Sequence, residues 1–294
     1  MKKRALGLFA IIILLGSCLQ KNETGMEFSV EKAADGFMFA EGPVWVKGKG
    51  LLFSDIPAGK VYLYTPGKGA AVYLEDSGHS NGLALDKQGA LFLAQHGSRQ
   101  IGRLGENGTI ESVASSFEGK RLNSPNDLAV HSSGSIFFTD PPFGLMDTGI
   151  KSELGFSGIF RIDPDGGLHL LENGLELPNG IAFNADETLL YADDSRLHVI
   201  YSWKVNDDLS LSDKKVFARI PVSGYADGMK TDGAGNLYVT GPAGLWVFSP
   251  EGDILKNVSV PGQDSASNCA WGDVDGMSLY VTSNNALYRV RRVR

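Results

Sequence analysis

Apolar residues in this chain come in short runs, each bounded by a turn signal. The stretch 125–140 shows the unit. A polar corner, Pro125-Asn126-Asp127, precedes a short apolar strand that begins at Leu128. A tight Ser132-Ser133-Gly134 turn follows. Then comes a strand rich in β-branched and aromatic residues, Ile136-Phe137-Phe138-Thr139, which ends on Asp140. Runs of this composition between turn residues predict antiparallel strands.

The chain writes the unit six times. The copies open at Glu41-Gly42-Pro43, Asn81-Gly82-Leu83, Asn126-Asp127-Leu128, Asn179-Gly180-Ile181, Asp227-Gly228-Met229 and Asn268-Cys269-Ala270. The lead polar residues are spaced by 40, 45, 53, 48 and 41 residues. Four copies place Asp or Asn five residues after the lead: Asp86, Asn184, Asp232 and Asp273. Three place Asp fourteen residues after it: Asp55, Asp140 and Asp193. A period of roughly 40–50 residues made only of strands and turns predicts a β-propeller with one four-stranded blade per copy. The fold class is therefore all-β, a six-bladed β-propeller. No copy can bury its apolar faces alone, so neighbouring blades must pack on one another. The last copy lacks a fourth strand. The alternating Glu27–Ala33 segment can supply it, which closes the ring and removes an open edge.

In a propeller the innermost strand of each blade starts beside the central axis. Six lead side chains at that place would converge. They are Glu41, Asn81, Asn126, Asn179, Asp227 and Asn268: all oxygen donors, with two formal negative charges and no thiolate. This set suits a hard divalent cation. Ca²⁺ is favoured over Mg²⁺, because calcium accepts neutral amide oxygens and irregular geometry. A single Asn-Gly is only a turn former; six at matched positions point to an ion site.

The N-terminus has a different pattern. Lys2, Lys3 and Arg4 precede an apolar stretch at 6–15, and Leu15-Gly16-Ser17-Cys18 looks like a bacterial lipobox. Residues 1–17 are expected to be a lipoprotein signal peptide, 18–26 a polar tether, and 27–294 the propeller. Lipidated Cys18 would anchor the protein to the cell envelope. Leu19 after it points to the periplasmic side of the outer membrane. The other cysteine, Cys269, then has no disulfide partner and is expected as a small buried hydrophobe. The formal net charge of −7 becomes −10 without Lys2, Lys3 and Arg4, which argues against nucleic acid. The oligomeric state is not readable from the sequence.

Two inter-blade segments stand out. Lys120-Arg121-Leu122-Asn123-Ser124 runs into the Asn126 corner and carries cations to the channel mouth. The long irregular insert 141–156 after Asp140 is expected to be a lid or pocket wall. His79 and His96 could face the same mouth.

Segments spread over the whole mature chain resemble the gluconolactonase, SMP-30 (regucalcin) and luciferin-regenerating-enzyme-like family. They are Glu41-Gly42-Pro43-Val44-Trp45, Asn81-Gly82-Leu83, Gln95-His96-Gly97-Ser98-Arg99, Lys120-Arg121-Leu122-Asn123-Ser124-Pro125-Asn126-Asp127, Phe138-Thr139-Asp140-Pro141-Pro142-Phe143-Gly144, Leu177-Pro178-Asn179-Gly180, Ala226-Asp227-Gly228-Met229 and Asn268-Cys269-Ala270. The resemblance implies one divalent ion in the channel, usually Ca²⁺, with Mg²⁺, Zn²⁺ or Mn²⁺ as alternatives. It matches Glu41, Asn179 and Asp227 to ion ligands, and Asn126 to a position that ligates the ion or touches substrate. Asp227 also matches the acid proposed as base or nucleophile. Arg121 and Asn123 resemble substrate-binding positions, with His96 nearby; the spacing from Asn123 to Asn126 differs from that of animal members. The implied activity is metal-dependent opening of a sugar lactone such as gluconolactone. Ester or phosphotriester hydrolysis at the same site is the second hypothesis, and a non-catalytic binding propeller with a structural ion is the third.

Overall fold

The structure, a computed structural model, describes residues 25–146, 148–261 and 266–293. The signal peptide, Cys18 and nearly all of the tether lie outside the described residues. Six four-stranded antiparallel sheets follow one another along the chain. Blade 1 runs from its inner strand Ala40–Val46 outward through Gly50–Asp55, Lys60–Thr65 and Gly69–Leu74. The inner strands of blades 2 to 6 are Ser80–Leu85, Leu128–Val130, Pro178–Phe183, Met229–Thr231 and Asn268–Gly272. The expected closure is present: Glu27–Asp35 pairs antiparallel with Ala286–Val293 and completes blade 6.

Apolar packing lies between neighbouring sheets, because each sheet is apolar on both faces. One cluster joins Leu52 and Val61 of blade 1 to Leu83, Leu91 and Leu93 of blade 2. Trp45 stacks on Tyr280 with ring centroids 5.6 Å apart, tying blade 1 to blade 6. Trp271 meets Tyr238 edge-on at 5.0 Å and donates its indole N–H to Thr231 O at 2.7 Å, tying blade 6 to blade 5. Cys269 is fully buried, and burial pushes its thiol up to about 12. Three of the residues five places after the leads, Asp86, Asn184 and Asp232, cap turns. Asp86 Oδ1 accepts from the backbone N–H of Gln88 and Ala90, and Asp232 Oδ1 from those of Ala234 and Asn236.

Around the axis every junction between blades carries at least one hydrogen bond. Ser54 Oγ meets Ser80 Oγ at 2.8 Å, and Gly82 N donates to Asn126 O at 2.7 Å. Thr139 Oγ1 donates to Asn179 O at 2.6 Å and Ser195 Oγ to Ala226 O at 2.5 Å. Thr240 Oγ1 donates to Ser267 O at 2.9 Å, and Ser267 Oγ to Ala40 O at 2.8 Å. The side chain facing the lead residue is thus a small hydroxyl in four blades: Ser54, Thr139, Thr240 and Thr282. Blade 2 has Ala94 there and blade 4 has Asp193.

This register corrects the alignment of the fourteenth-place acids. Asp55 pairs with Ala40 and accepts from the N–H groups of Met38 and Phe39. Asp140 does the same for Asn123. In blade 4 that task falls to Asp194, which pairs with Pro178 and accepts from Glu176 and Leu177. Asp193 is an additional acid, one place closer to the lead.

Candidate metal and substrate site at the channel axis

The lead residues meet where the six inner strands begin, and the glycines that follow them show how tightly. A Cβ on Gly42 would lie 2.0 Å from Asn81 O. On Gly82 it would meet Asp127 Oδ1 at 2.7 Å, on Gly180 Asp227 O at 2.1 Å, and on Gly228 Asn268 Oδ1 at 2.1 Å. Only Gly42 of these four has a positive φ. At the other three, glycine is demanded by the approach of the next blade rather than by a turn. The recurrent Asn-Gly and Asp-Gly pairs are therefore marks of axial crowding.

Glu41, Asn81, Asn126, Asn179 and Asn268 are 2–5% exposed; Asp227 is half-buried. The Asn179 amide hydrogen-bonds Asp227, and that of Asn268 hydrogen-bonds Glu41. Glu41 Oε2 also accepts from Gly42 N at 2.7 Å. Burial lifts the Glu41 carboxyl to about 8, opposed by the Gly42 N–H and raised further by Asp127. Burial first, then the charges of Glu41, Asp193 and Asp127, push Asp227 well above the ordinary carboxylate range. Two carboxylates so placed resist ionising together unless a cation stands with them.

The donor set fits such a cation. Asn81 Oδ1 and Asn179 Oδ1 are buried and accept no hydrogen bond. Buried amide oxygens normally have partners, so two open ones on lead residues leave hard oxygens free for a cation. Among the described residues there is no group of three or more His, Cys, Asp and Glu side chains placed to hold a metal. The candidate set consists instead of two acids and neutral amides, which suits calcium rather than zinc.

Asp127 is the residue that sequence reasoning left without a role. It is 2% exposed, its Oδ2 lies 3.5 Å from Asn268 Nδ2, and its charge acts on both Glu41 and Asp227. The signal was present: four copies have Gly after the lead, and only the third has a carboxylate there.

The other predicted residues belong to a separate wall at the channel mouth. Asn123 is fully buried and spoken for. Its Nδ2 donates to Asp140 O and Phe156 O, and its Oδ1 accepts from Ser152. It pins the insert rather than presenting an amide to the channel. Ser124 Oγ donates to Pro141 O at 2.6 Å and accepts from Gly144 N at 2.9 Å, a second pin. Arg121 is exposed and donates to Ser98 O. Arg99, at 6% exposure, braces the wall from beneath through Leu122 O and Asn123 O. His96 lies under the insert: a Cβ on Gly144 would come within 2.6 Å of its ring. Burial and the charge of His79 push His96 down to about 4, so it is neutral at pH 7, and its Nδ1 has no partner. Phe143 of the insert reaches the Tyr225 ring, edge-on at 6.1 Å, just before Asp227.

Comparison with known proteins gives the family and supports the fold. Residues 39–285 match the family model for the SMP-30/gluconolactonase/LRE-like region. A gluconolactonase of Zymomonas mobilis is 37% identical over 89% of this chain and 81% of its own. A solved structure described as a gluconolactonase of Xanthomonas campestris superposes with a TM-score of 0.84 at 32% identity, covering 90% of this chain and 89% of that one. A solved structure described as a calcium-binding regucalcin of Agrobacterium tumefaciens shares the fold, with a TM-score of 0.75 at 18% identity over 90% of this chain and 95% of that one. The chain belongs to the SMP-30/gluconolactonase/LRE-like family.

Proposed function

We propose that this protein is a lactone hydrolase that opens a sugar lactone such as gluconolactone at the axial site, with one divalent cation, calcium first, as cofactor. The observation that carries the reading is the presence at the axis of two raised carboxylates, Glu41 and Asp227, with the open amide oxygen of Asn179. The gluconolactonase relative gives the substrate class. Glu41, Asn126, Asn179 and Asp227 would hold the ion, which when bound supplies a Lewis acid for the lactone carbonyl.

The chain's own part is orientation and proton transfer. Asp227, held by the Asn179 amide, accepts a proton as water adds to the carbonyl carbon. The ring C–O bond then breaks. That proton returns to the departing ring oxygen, leaving a hydroxy acid. Asn126 donates toward the carbonyl oxygen as its charge grows, while Asn179, whose amide N–H groups serve Ser195 and Asp227, turns its oxygen to the ion. Arg121 is on the exposed rim where sugar hydroxyls or a carboxylate would arrive, and neutral His96 can exchange hydrogen bonds with them. Asn123 acts at one remove, by holding the wall. The anchor at Cys18 and the envelope location belong to this proposal on sequence alone.

The test uses the mature protein without its lipid. δ-Gluconolactone, aryl esters and paraoxon are offered with calcium and with chelator. Chelator-sensitive proton release on the lactone is the expected result. Faster turnover of paraoxon or the aryl ester would move the substrate class. No turnover of any, by a folded, calcium-loaded protein, would leave a binding propeller.

A further inference from the structure

Asp193 is a fully buried acid at the position that carries Ser or Thr in four other blades. Its Oδ1 accepts from Gly180 N at 2.7 Å. Its Oδ2 lies 3.1 Å from Ser195 Oγ. Ser195 Oγ also lies 2.5 Å from Ala226 O and 3.2 Å from Asn179 Nδ2.

The hydrogens in this cluster can be counted. A serine hydroxyl has one proton. Ala226 O can only accept, so the Ser195 proton goes there. Asn179 Nδ2 donates to Ser195 Oγ. The contact between Ser195 Oγ and Asp193 Oδ2 then has a proton only if Asp193 brings it. With Asp193 as a neutral acid, Ser195 Oγ donates once and accepts twice, and every group is satisfied. With Asp193 charged, two bare oxygens would face each other in a dry interior, beside Asp194 and Asp227.

We propose that Asp193 is a positioning residue: through Ser195 it fixes the Asn179 amide so that Oδ1 faces the channel. The role explains a departure from the repeat. A Thr there reaches backbone groups, Thr139 those of Asp127 and Asn179 and Thr240 those of Gly228 and Ser267. The longer acid reaches Ser195, and Ser195 covers both the carbonyl of the next blade and the amide of the lead residue. Groups that orient a ligand from behind are worth about 10–100-fold in metal affinity. The inference rests on Asn179 being an ion ligand.

The test measures calcium affinity by titration calorimetry without substrate, with kcat and KM on the lactone as a second readout. Melting curves confirm folding. Asp193→Ala is expected to weaken calcium binding by about 10-fold or more. Asp193→Asn, which keeps an acceptor for Gly180 N and a donor for Ser195, is expected to recover most of that loss. Ser195→Ala should weaken calcium in the same direction, and adding Asp193→Ala to it should change little, because both act along one path. Two results would overturn the role: Asp193→Asn as weak as Asp193→Ala, or folded Asp193→Ala binding calcium like the parent. If Asp193→Ala does not fold, Ser195→Ala decides, and undiminished affinity there rejects the path. Parent protein that binds no calcium would remove the ion reading itself and this role with it.

Discussion

The two ends of the axial channel are built on the same six inner strands and carry opposite surfaces. At one end stand Glu41, Asn81, Asn126, Asp127, Asn179, Asp227 and Asn268, crowded and buried, with amide oxygens left open. A few residues further along, the strands line a cavity of about 440 Å³ with Val44, Leu83, Leu128, Ile181, Ala270 and Trp271. Lys230 projects there, and its Nζ is held by Met229 O at 2.9 Å. The backbone is the same at both ends, so the difference lies in the first two residues of each repeat. The apolar residues after those two stabilise the scaffold.

The sharpest way to break this contrast is to change one lead residue. Asp227→Asn is expected to lower kcat/KM on the lactone by at least about 10³-fold, as loss of a general base and an ion ligand together would. The cation-free protein should not lose stability. Removing one of two mutually repelling carboxylates should raise its melting temperature by roughly 2 °C, about 1 kcal/mol for a domain of this size. Activity within tenfold of the parent would end the assignment of Asp227.

The opposite change is made at the apolar end. Leu83 is 5% exposed and packs with Leu52, Leu91 and Leu93. Leu83→Ala is expected to cost about 2–5 kcal/mol of stability by denaturant unfolding. Calcium affinity at 20 °C should stay within about threefold of the parent, since distant sites add independently. A parallel fall in affinity would mean the two ends are not separable.

The carboxylate pair gives a pH signature that the apolar end cannot. In the cation-free protein Glu41 ionises near 8 when folded and near 4.5 when unfolded. Its neutral form therefore favours the fold. That contribution is complete below pH 4.5 and is lost as pH rises through 8. The cation-free protein should melt lower at pH 9 than at pH 6. Calcium favours the ionised form, so binding near pH 7 should release about one proton, read by calorimetry in buffers of different ionisation enthalpy. No proton release, or a melting temperature that climbs with pH, would contradict the buried pair.

Most of the fold was legible in the sequence because repetition is visible without coordinates. The six restarts at Glu41, Asn81, Asn126, Asn179, Asp227 and Asn268 gave the blades, and the missing fourth strand of the last one gave the closure. The ion-site candidates came with them, because residues at matched places in a closed ring must converge. What stayed hidden depended on register and on side-chain direction. Asp193 and Asp194 are adjacent acids, and only the strand pairing tells which equals Asp55. Asn123 lies in the family-like segment before Asn126, yet it is turned to Asp140 and Phe156. Asp127 was hidden by its neighbour, since a lead Asn draws the eye from the residue that breaks the glycine pattern.

The smallest effect expected is also the closest probe of where the two ends meet. Lys230 is on the inner strand of blade 5, three residues past Asp227, and its charge lowers Glu41 somewhat. Its position among apolar walls invites a reading as a second functional group. The geometry argues against that, because its ammonium is turned back to the carbonyl of the preceding residue. Lys230→Met should then raise Glu41 slightly and shift the alkaline decline in stability of the cation-free protein to higher pH, while kcat/KM changes by less than about threefold. The result to look for is that small shift without loss of rate. A loss of more than about tenfold would show that charge at the apolar end takes part in the reaction, and the division between a stabilising end and a chemical end would have to be redrawn one turn of strand lower.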